Sequence, residues 1–316
     1  MQETDLSIIV VNYNTRHLLH EMMAAVERAA GGLALQLIVI DNASRDGSAD
    51  CIRENWPHVE LLANDANVGF GRANNQALPL IRGRNVLLLN TDAFVRPDSF
   101  HVALNVLQQH PECGIVGVRL VGRDGLVQPS CRYFPTAWNL LLVRTGLTKL
   151  FPWTRLVDDM PWDDRKAAEC DWVPGAFLLI RRPVINQVGL FDPRYFLYYE
   201  EVDLCRAAKG RGWTVRYCPG TDVVHIGGES AKSDGNLSSS GRQLPALQME
   251  SELLYFRKHY GLPGVLGSLA LGLLGDAVLA TKQLLGKGRG AGRPFSQSAL
   301  ALRLFLQTRF ATLPTR

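Results

Sequence analysis

Apolar and β-branched positions in the N-terminal third of the chain fall into short continuous runs, separated by stretches of helical period. Residues 6–12 (LSIIVVN) form the first run, whose length and Ile/Val content predict a strand buried on both faces. A helix is expected from there to about Ala30. Residues 35–40 (LQLIVI) predict a second strand ending at Asp41. Asn42, Ser44 and Asp46 then supply turn and cap groups for a helix over roughly 47–55. A short strand at 59–62, a polar Gly-bearing loop, a helix near 71–82 and a strong strand at 85–90 complete the series.

This β-α-β-α-β alternation predicts a mostly parallel sheet flanked by helices, a Rossmann-like nucleotide fold. Ligands of such sheets bind beyond the carboxyl ends of the strands, where Asp41 and Asp92 stand. The alternation stops near residue 113. Residues 115–121 and 127–133 predict two strands around a turn at Gly122–Gly125, and 135–165 predict a long loop rich in Trp and Pro. A buried strand is expected at 172–181, and a helix from about Glu201 to Gly210 or Gly212. Short strands follow at 213–218 and 222–226. Residues 228–243 are Gly/Ser-rich, and helix returns near 244–260.

Composition narrows the class. A chain of 316 residues, 47% hydrophobic and 20% charged, can bury one large α/β core and still carry an appendage. The net charge of +4 is unevenly spread. Seven Lys or Arg and no acid lie between Ala277 and Arg316, so the rest of the chain is slightly acidic. Such a tail points to an anionic partner, phospholipid or nucleic acid. Residues 262–281 are apolar except for Asp276; their charge-free part, 262–275, has 14 residues, short for a membrane span. Arg257, Lys258, Lys282, Lys287 and Arg289 flank it, and 298–310 is a second apolar, Arg-bearing stretch. The expectation is peripheral attachment to an anionic leaflet. Packing on the rest of the chain, or on a second subunit of a homo-oligomer, is the alternative, and a span ranks last. Six cysteines without a CxxC exclude zinc and iron–sulfur spacing and predict reduced, buried thiols. An acidic start running straight into a strand is unlike a secretory signal, so the chemistry is expected to face the cytoplasm.

Six polar segments fall where this fold would place chemistry: Val11-Asn12-Tyr13-Asn14, Asp41-Asn42-Ala43-Ser44, Asn67 to Asn75, Asn90-Thr91-Asp92, Tyr199 to Asp203, and His225 to Ser230. Each has a bland reading. Asn and Asp are ordinary turn formers at strand ends, acids at a helix start offset its dipole, and a lone His is more often structural than a ligand. Their order carries more than any one of them. The ordered set, spread over residues 5–260, resembles the family-two glycosyltransferases, in the bacterial rhamnosyltransferase-like branch that builds cell-wall and surface polysaccharide.

The resemblance implies a GT-A domain over 1–260, with a nucleotide-binding half to about 112 and an acceptor half from 113, followed by a helical, membrane-associating tail over 261–316. It implies an inverting transfer from a nucleotide diphosphate sugar to a glycan or polyprenyl-linked glycan, at the cytoplasmic face of the plasma membrane. No nucleic acid is involved. Asp92 matches the last acid of the family's metal motif, here Asn90-Thr91-Asp92, and His225 matches a histidine that completes the metal site. Oxygen ligands and a diphosphate leaving group suit Mg2+ or Mn2+. Asp41 resembles the acid that accepts the imide N–H of thymine or uracil. Asn12, Asn67, Gly69 and Asn75 resemble further nucleotide contacts. Of the acidic pair Glu200-Glu201, the second matches the general base, with Asp203 the fallback and Glu200 holding acceptor hydroxyls. The family implies deoxythymidine diphosphate rhamnose as donor, and UDP-hexose or galactofuranose transfer is the alternative. A nucleotidyltransferase should carry a Gly-rich phosphate loop after the first strand, where this chain has Asn14-Thr15-Arg16. A non-catalytic glycan- or membrane-binding relative would have no need for Asp41, Asp92, Glu201 and His225 together.

Overall fold

The computed structural model describes residues 4–158, 165–227, 243–286 and 295–316. Strand β1 (Leu6–Asn12) lies between β2 (Leu35–Asp41) and β4 (Asn85–Leu89), parallel to both, with β3 (Glu60–Ala63) outside β2. All seven residues of β1 are buried, as a continuous apolar run requires. The period of two divides its side chains. Leu6, Ile8 and Val10 pack under α1 (Arg16–Ala29) and α2 (Ser48–Asn55), while Ile9 and Val11 face Ala73 of α3 (Phe70–Gln76). The register sets Asn12 beside Asp41 at the carboxyl ends of β1 and β2.

The remaining strands are β5 (Ala93–Phe94), β6 (Cys113–Val121), β7 (Val127–Gln128), β8 (Ala168–Cys170), β9 (Phe177–Arg181) and β10 (Thr214–His225). The main order is β3-β2-β1-β4-β9-β6-β10-β5, with β7 on β6 and β8 on β10. The sheet is parallel through β4 and mixed beyond it. β9 runs antiparallel to both neighbours and β10 parallel to β6. Helices α4 (Ser99–Gln109), α5 (Ala137–Thr145), α6 (Arg182–Val188) and α7 (Glu200–Lys209) join these strands.

Five segments differ from the pattern-based expectation. The strand at 127–133 shortens to β7, because the Ser130 hydroxyl takes the Leu120 N–H and the chain leaves to bridge Trp172. At the other end, the strand at 172–181 begins only at Phe177. The loop at 135–165 contains α5, which a reciprocal Thr136–Asn139 capping box starts and Gly146 ends. The two strands at 213–226 are one, β10, whose register shifts between Cys218 and Asp222 around Pro219-Gly220. A proline there has no N–H for the ladder. Helix α4 was not expected at all.

The C-terminal segment forms α8 (Gln243–Leu284), which kinks at Gly261 (φ 68°) just before Pro263, and α9 (Ser296–Gln307). By length and composition α8 could cross a bilayer. The one acid of its apolar stretch is absorbed by the protein: Asp276 pairs with Arg144 of α5 and caps Ser298 of α9, and is 4% exposed. Leu253, Phe256, Val265, Leu304 and Phe305 form a separate small core. Half of the alternative expectation is therefore met, with one face of the appendage packed on the chain itself. The opposite face leaves Leu266, Leu273, Leu274, Leu302 and Leu306 exposed.

Candidate active site

The strand ends carry a closed hydrogen-bond lattice. Asn12 Nδ2 donates to Asp41 Oδ1 (2.7 Å) and Ser44 Oγ (3.0 Å), and its Oδ1 accepts from Thr15 Oγ1 (2.7 Å). Asp41 Oδ2 accepts the Ser44 N–H (3.0 Å). Asn42 Nδ2 donates to Asn67 Oδ1 (2.8 Å), which also takes the Gly69 N–H (2.9 Å). Gly69 has φ +89°, and a Cβ there would sit 2.6 Å from the Phe196 carbonyl oxygen. Only glycine fits this left-handed, crowded position. The Phe70 N–H donates to that same oxygen (2.8 Å), which pins the loop to the segment just ahead of α7.

The second group gathers where β5 pairs with β10. His225 stands opposite Ala93, so its ring reaches Asp92. His225 Nε2 is 3.6 Å from Asp92 Oδ1, and the Gly227 N–H donates to Asp92 Oδ2 (3.1 Å). Burial lowers the His225 pKa, and the Asp92 carboxylate opposes that shift. Among the described residues no group of three or more acids, histidines and cysteines converges on one point. A metal here would have two protein ligands, one carboxylate and one imidazole. That donor set leaves room for diphosphate oxygens and water, which is how Mg2+ and its analogues are commonly held.

The third group begins α7. Tyr198 and Tyr199 both have left-handed backbones (φ 71° and 70°), a conformation that costs about 1–3 kcal/mol per residue. Contacts from α8 hold them there: Tyr199 Oη donates to Glu252 (3.2 Å), and Ser251 Oγ donates to the Leu197 carbonyl (2.9 Å). The turn delivers Glu200 and Glu201 into the same cavity as Asp92. Oε2 of each is buried without a hydrogen-bond partner among the described residues. Burial raises the pKa of both, and the neighbouring Glu201 charge pushes Glu200 further. Their own backbone N–H groups at the helix start pull the other way, as does Arg132 on Glu201. A helix dipole alone would keep Glu201 ionised; here desolvation outweighs it.

One cavity of about 290 Å³ joins these groups. Of the residues singled out from sequence, Asn67, Gly69, Asp92, Glu200, Glu201 and His225 line it. Asn12 and Asp41 sit one layer behind the wall. Two assignments change. Asn75 clamps the Phe191 backbone through both amide atoms (2.7 and 3.0 Å), away from the cavity. Asp203 accepts from Lys258 Nζ (2.7 Å) and pairs with His259 Nε2 (2.7 Å), both on α8, so it ties two helices together instead of facing substrate. Tyr13, Thr91, Pro174 to Ala176 and Phe196 to Tyr198 also line the cavity. Tyr13 and Thr91 fell inside recognised motifs without being chosen, and nothing local marked the others.

A parallel nucleotide-type half sheet, a strand-end acid–histidine pair and a facing carboxylate pair across one cleft define a GT-A glycosyltransferase. Comparison with known proteins agrees. Residues 7–159 match the model of glycosyl transferase family 2. The chain is 28% identical over 247 residues to the N-acetylglucosaminyl-diphospho-decaprenol L-rhamnosyltransferase of Mycobacterium tuberculosis, covering 72% of this chain and 78% of that protein. It is 25% identical to the rhamnosyltransferase WbbL of Escherichia coli (strain K12), over 50% of this chain and 60% of that one. In fold it is similar to the mannosyltransferase PcManGT from Pyrobaculum calidifontis, solved with GDP-Man and Mn2+. That match has a TM-score of 0.57 and 16% identity, and covers 99% of this chain and 89% of that one. The chain is a glycosyltransferase whose residues 7–159 resemble glycosyl transferase family 2 and whose similar proteins include rhamnosyltransferases.

Proposed function

We propose that the chain is a metal-dependent, inverting glycosyltransferase that moves rhamnose from deoxythymidine diphosphate rhamnose to a lipid-linked glycan. The observation that carries this reading is the single cavity with Asp92 and His225 on one wall and the unpartnered Glu200-Glu201 pair on another. Asp92 and His225 would hold Mg2+ or Mn2+, which would neutralise charge on the diphosphate leaving group. Asp41, buried one layer behind the cavity wall, holds Asn12 and Ser44 in place at the nucleotide end of the cleft. Glu201 takes the acceptor hydroxyl's proton as that oxygen attacks the anomeric carbon on the face opposite the leaving group. Glu200 accepts hydrogen bonds from neighbouring acceptor hydroxyls.

The relatives' rhamnosyltransferase names, one specifying a diphospho-decaprenol acceptor, favour this donor and acceptor over a UDP-hexose pair. Thermal unfolding of the purified chain with Mn2+ and a panel of nucleotide sugars tests the donor, since ligand that binds only the native state raises stability by mass action. The thymidine diphosphate sugar should give the largest shift. A larger shift with UDP-galactofuranose or another UDP-hexose replaces this donor assignment.

The appendage supports residence at the cytoplasmic membrane surface, through its exposed leucines and the basic residues around them. Co-sedimentation with anionic vesicles should fall at least tenfold in the double variant Leu266→Glu/Leu274→Glu, since burying one leucine is worth ~1.5–3 kcal/mol. Unchanged co-sedimentation rejects this face as the membrane contact.

A further inference from the structure

Gln128 is not on the cavity wall, and no sequence motif marked it. It lies on β7, paired across β6 at Leu120, and its side chain reaches His225 from 97 residues away in sequence. Two contacts define its geometry. Gln128 Nε2 donates to the His225 carbonyl oxygen (2.8 Å), and Gln128 Oε1 lies 2.8 Å from His225 Nδ1. A backbone carbonyl can only accept, so the amide nitrogen must face it. The amide oxygen is then left facing Nδ1, and an amide oxygen can only accept. Nδ1 must therefore carry the ring proton. In the neutral imidazole this leaves Nε2 as a bare lone pair, 3.6 Å from Asp92 Oδ1. An imidazole lone pair and a carboxylate oxygen repel one another unless a proton or a metal cation lies between them.

We infer that Gln128 is a positioning residue that locks His225 in the Nδ1–H tautomer, and so makes Nε2 a metal ligand beside Asp92. This rests on the metal-dependent reading above and adds the group that prepares the site. The clamp holds both the ring and the backbone of the residue that ends β10, fixing ring orientation as well as tautomer. Partners of this kind in the outer shell of metal sites typically change affinity by 10–100-fold.

The test uses the full-length chain, labelled with nitrogen-15. Two-bond proton–nitrogen correlations are recorded at about pH 8, where an imidazole with the usual pKa of ~6.5 is neutral. His225 is assigned by its loss in His225→Asn. The wild type without metal should show His225 as the Nδ1–H tautomer. Manganese binding is followed in parallel by the electron-spin resonance of free Mn2+, with thymidine diphosphate present. Gln128→Leu should lose the single tautomer and weaken Mn2+ binding about 10–100-fold. Gln128→Glu keeps an acceptor for Nδ1–H but loses the donor to the His225 carbonyl, so it should retain the Nδ1–H tautomer and bind Mn2+ more tightly than Gln128→Leu. An Nε2–H tautomer in the wild type, or wild-type Mn2+ affinity in Gln128→Leu, overturns the inference. Wild-type protein that binds no Mn2+ overturns the metal reading instead, while the tautomer measurement still judges Gln128 on its own.

Discussion

The two walls of the cleft solve opposite problems. On the donor side polar groups are tied to one another: Asn12 to Asp41, Asn42 to Asn67, and the Gly227 N–H to Asp92. Across the cleft, Glu200 and Glu201 each bury an oxygen with no partner, behind two residues in left-handed conformations. A wall of satisfied hydrogen bonds is preorganised to hold a ligand whose position must not change. A wall of desolvated, unpartnered carboxylates is higher in energy, which suits the proton-accepting role proposed for it. The proposed roles thus divide binding and chemistry between the N-terminal half sheet and the start of α7.

Substitutions on the two walls should separate accordingly. The largest effect is expected for Glu201→Gln, which keeps size and hydrogen bonding but cannot accept a proton. Transfer rate under saturating donor should fall by roughly 10²–10⁴, with donor affinity nearly unchanged. A parallel loss of donor affinity would place Glu201 on the holding wall. Asp92→Ala should do the reverse and weaken Mn2+-dependent nucleotide binding by ~100-fold, as isothermal titration with and without Mn2+ would report. Unchanged metal dependence would remove Asp92 from the site. The smallest catalytic effect is expected from Asp203→Asn. It sits one helical turn beyond Glu200 but bonds to Lys258 and His259. Denaturant unfolding should show a loss of about 1–3 kcal/mol, with turnover within about threefold of wild type. If Asp203→Asn loses turnover while Glu201→Gln keeps it, the base is Asp203 and the division of the cleft is wrong.

How much of this was legible in the chain follows from what each feature depends on. Strands β1, β2 and β4 were plain because a strand buried on both faces needs an unbroken apolar run, and their ends located Asp41 and Asp92. Gly69 and the acidic pair, which line the cavity, were legible because they punctuate elements. Helix α5 was hidden because its capping box uses Asn139 in place of the usual Glu or Gln, among Trp and Pro residues that suggest a loop. Asn75 and Asp203 were misplaced for a different reason. Neighbourhood in sequence says nothing about which partner covers a helix face, and Phe191, Lys258 and His259 arrive from 116, 55 and 56 residues away. Gln128 was invisible on the same ground. Local chemistry was readable, whereas the long-range contacts that orient it were not.

The most direct test of the reactive wall is the pH dependence of transfer rate at saturating donor and acceptor, in wild type and Glu201→Gln. A general base works only when deprotonated, and burial raises the pKa of both Glu200 and Glu201. The wild-type rate should therefore climb as pH rises through an apparent pKa above the ordinary carboxylate range, a value that belongs to the coupled pair. That rising arm should vanish in Glu201→Gln. A wild-type rate already flat above the ordinary carboxylate range, or an arm that survives intact in the variant, would contradict the assignment of proton transfer to this carboxylate.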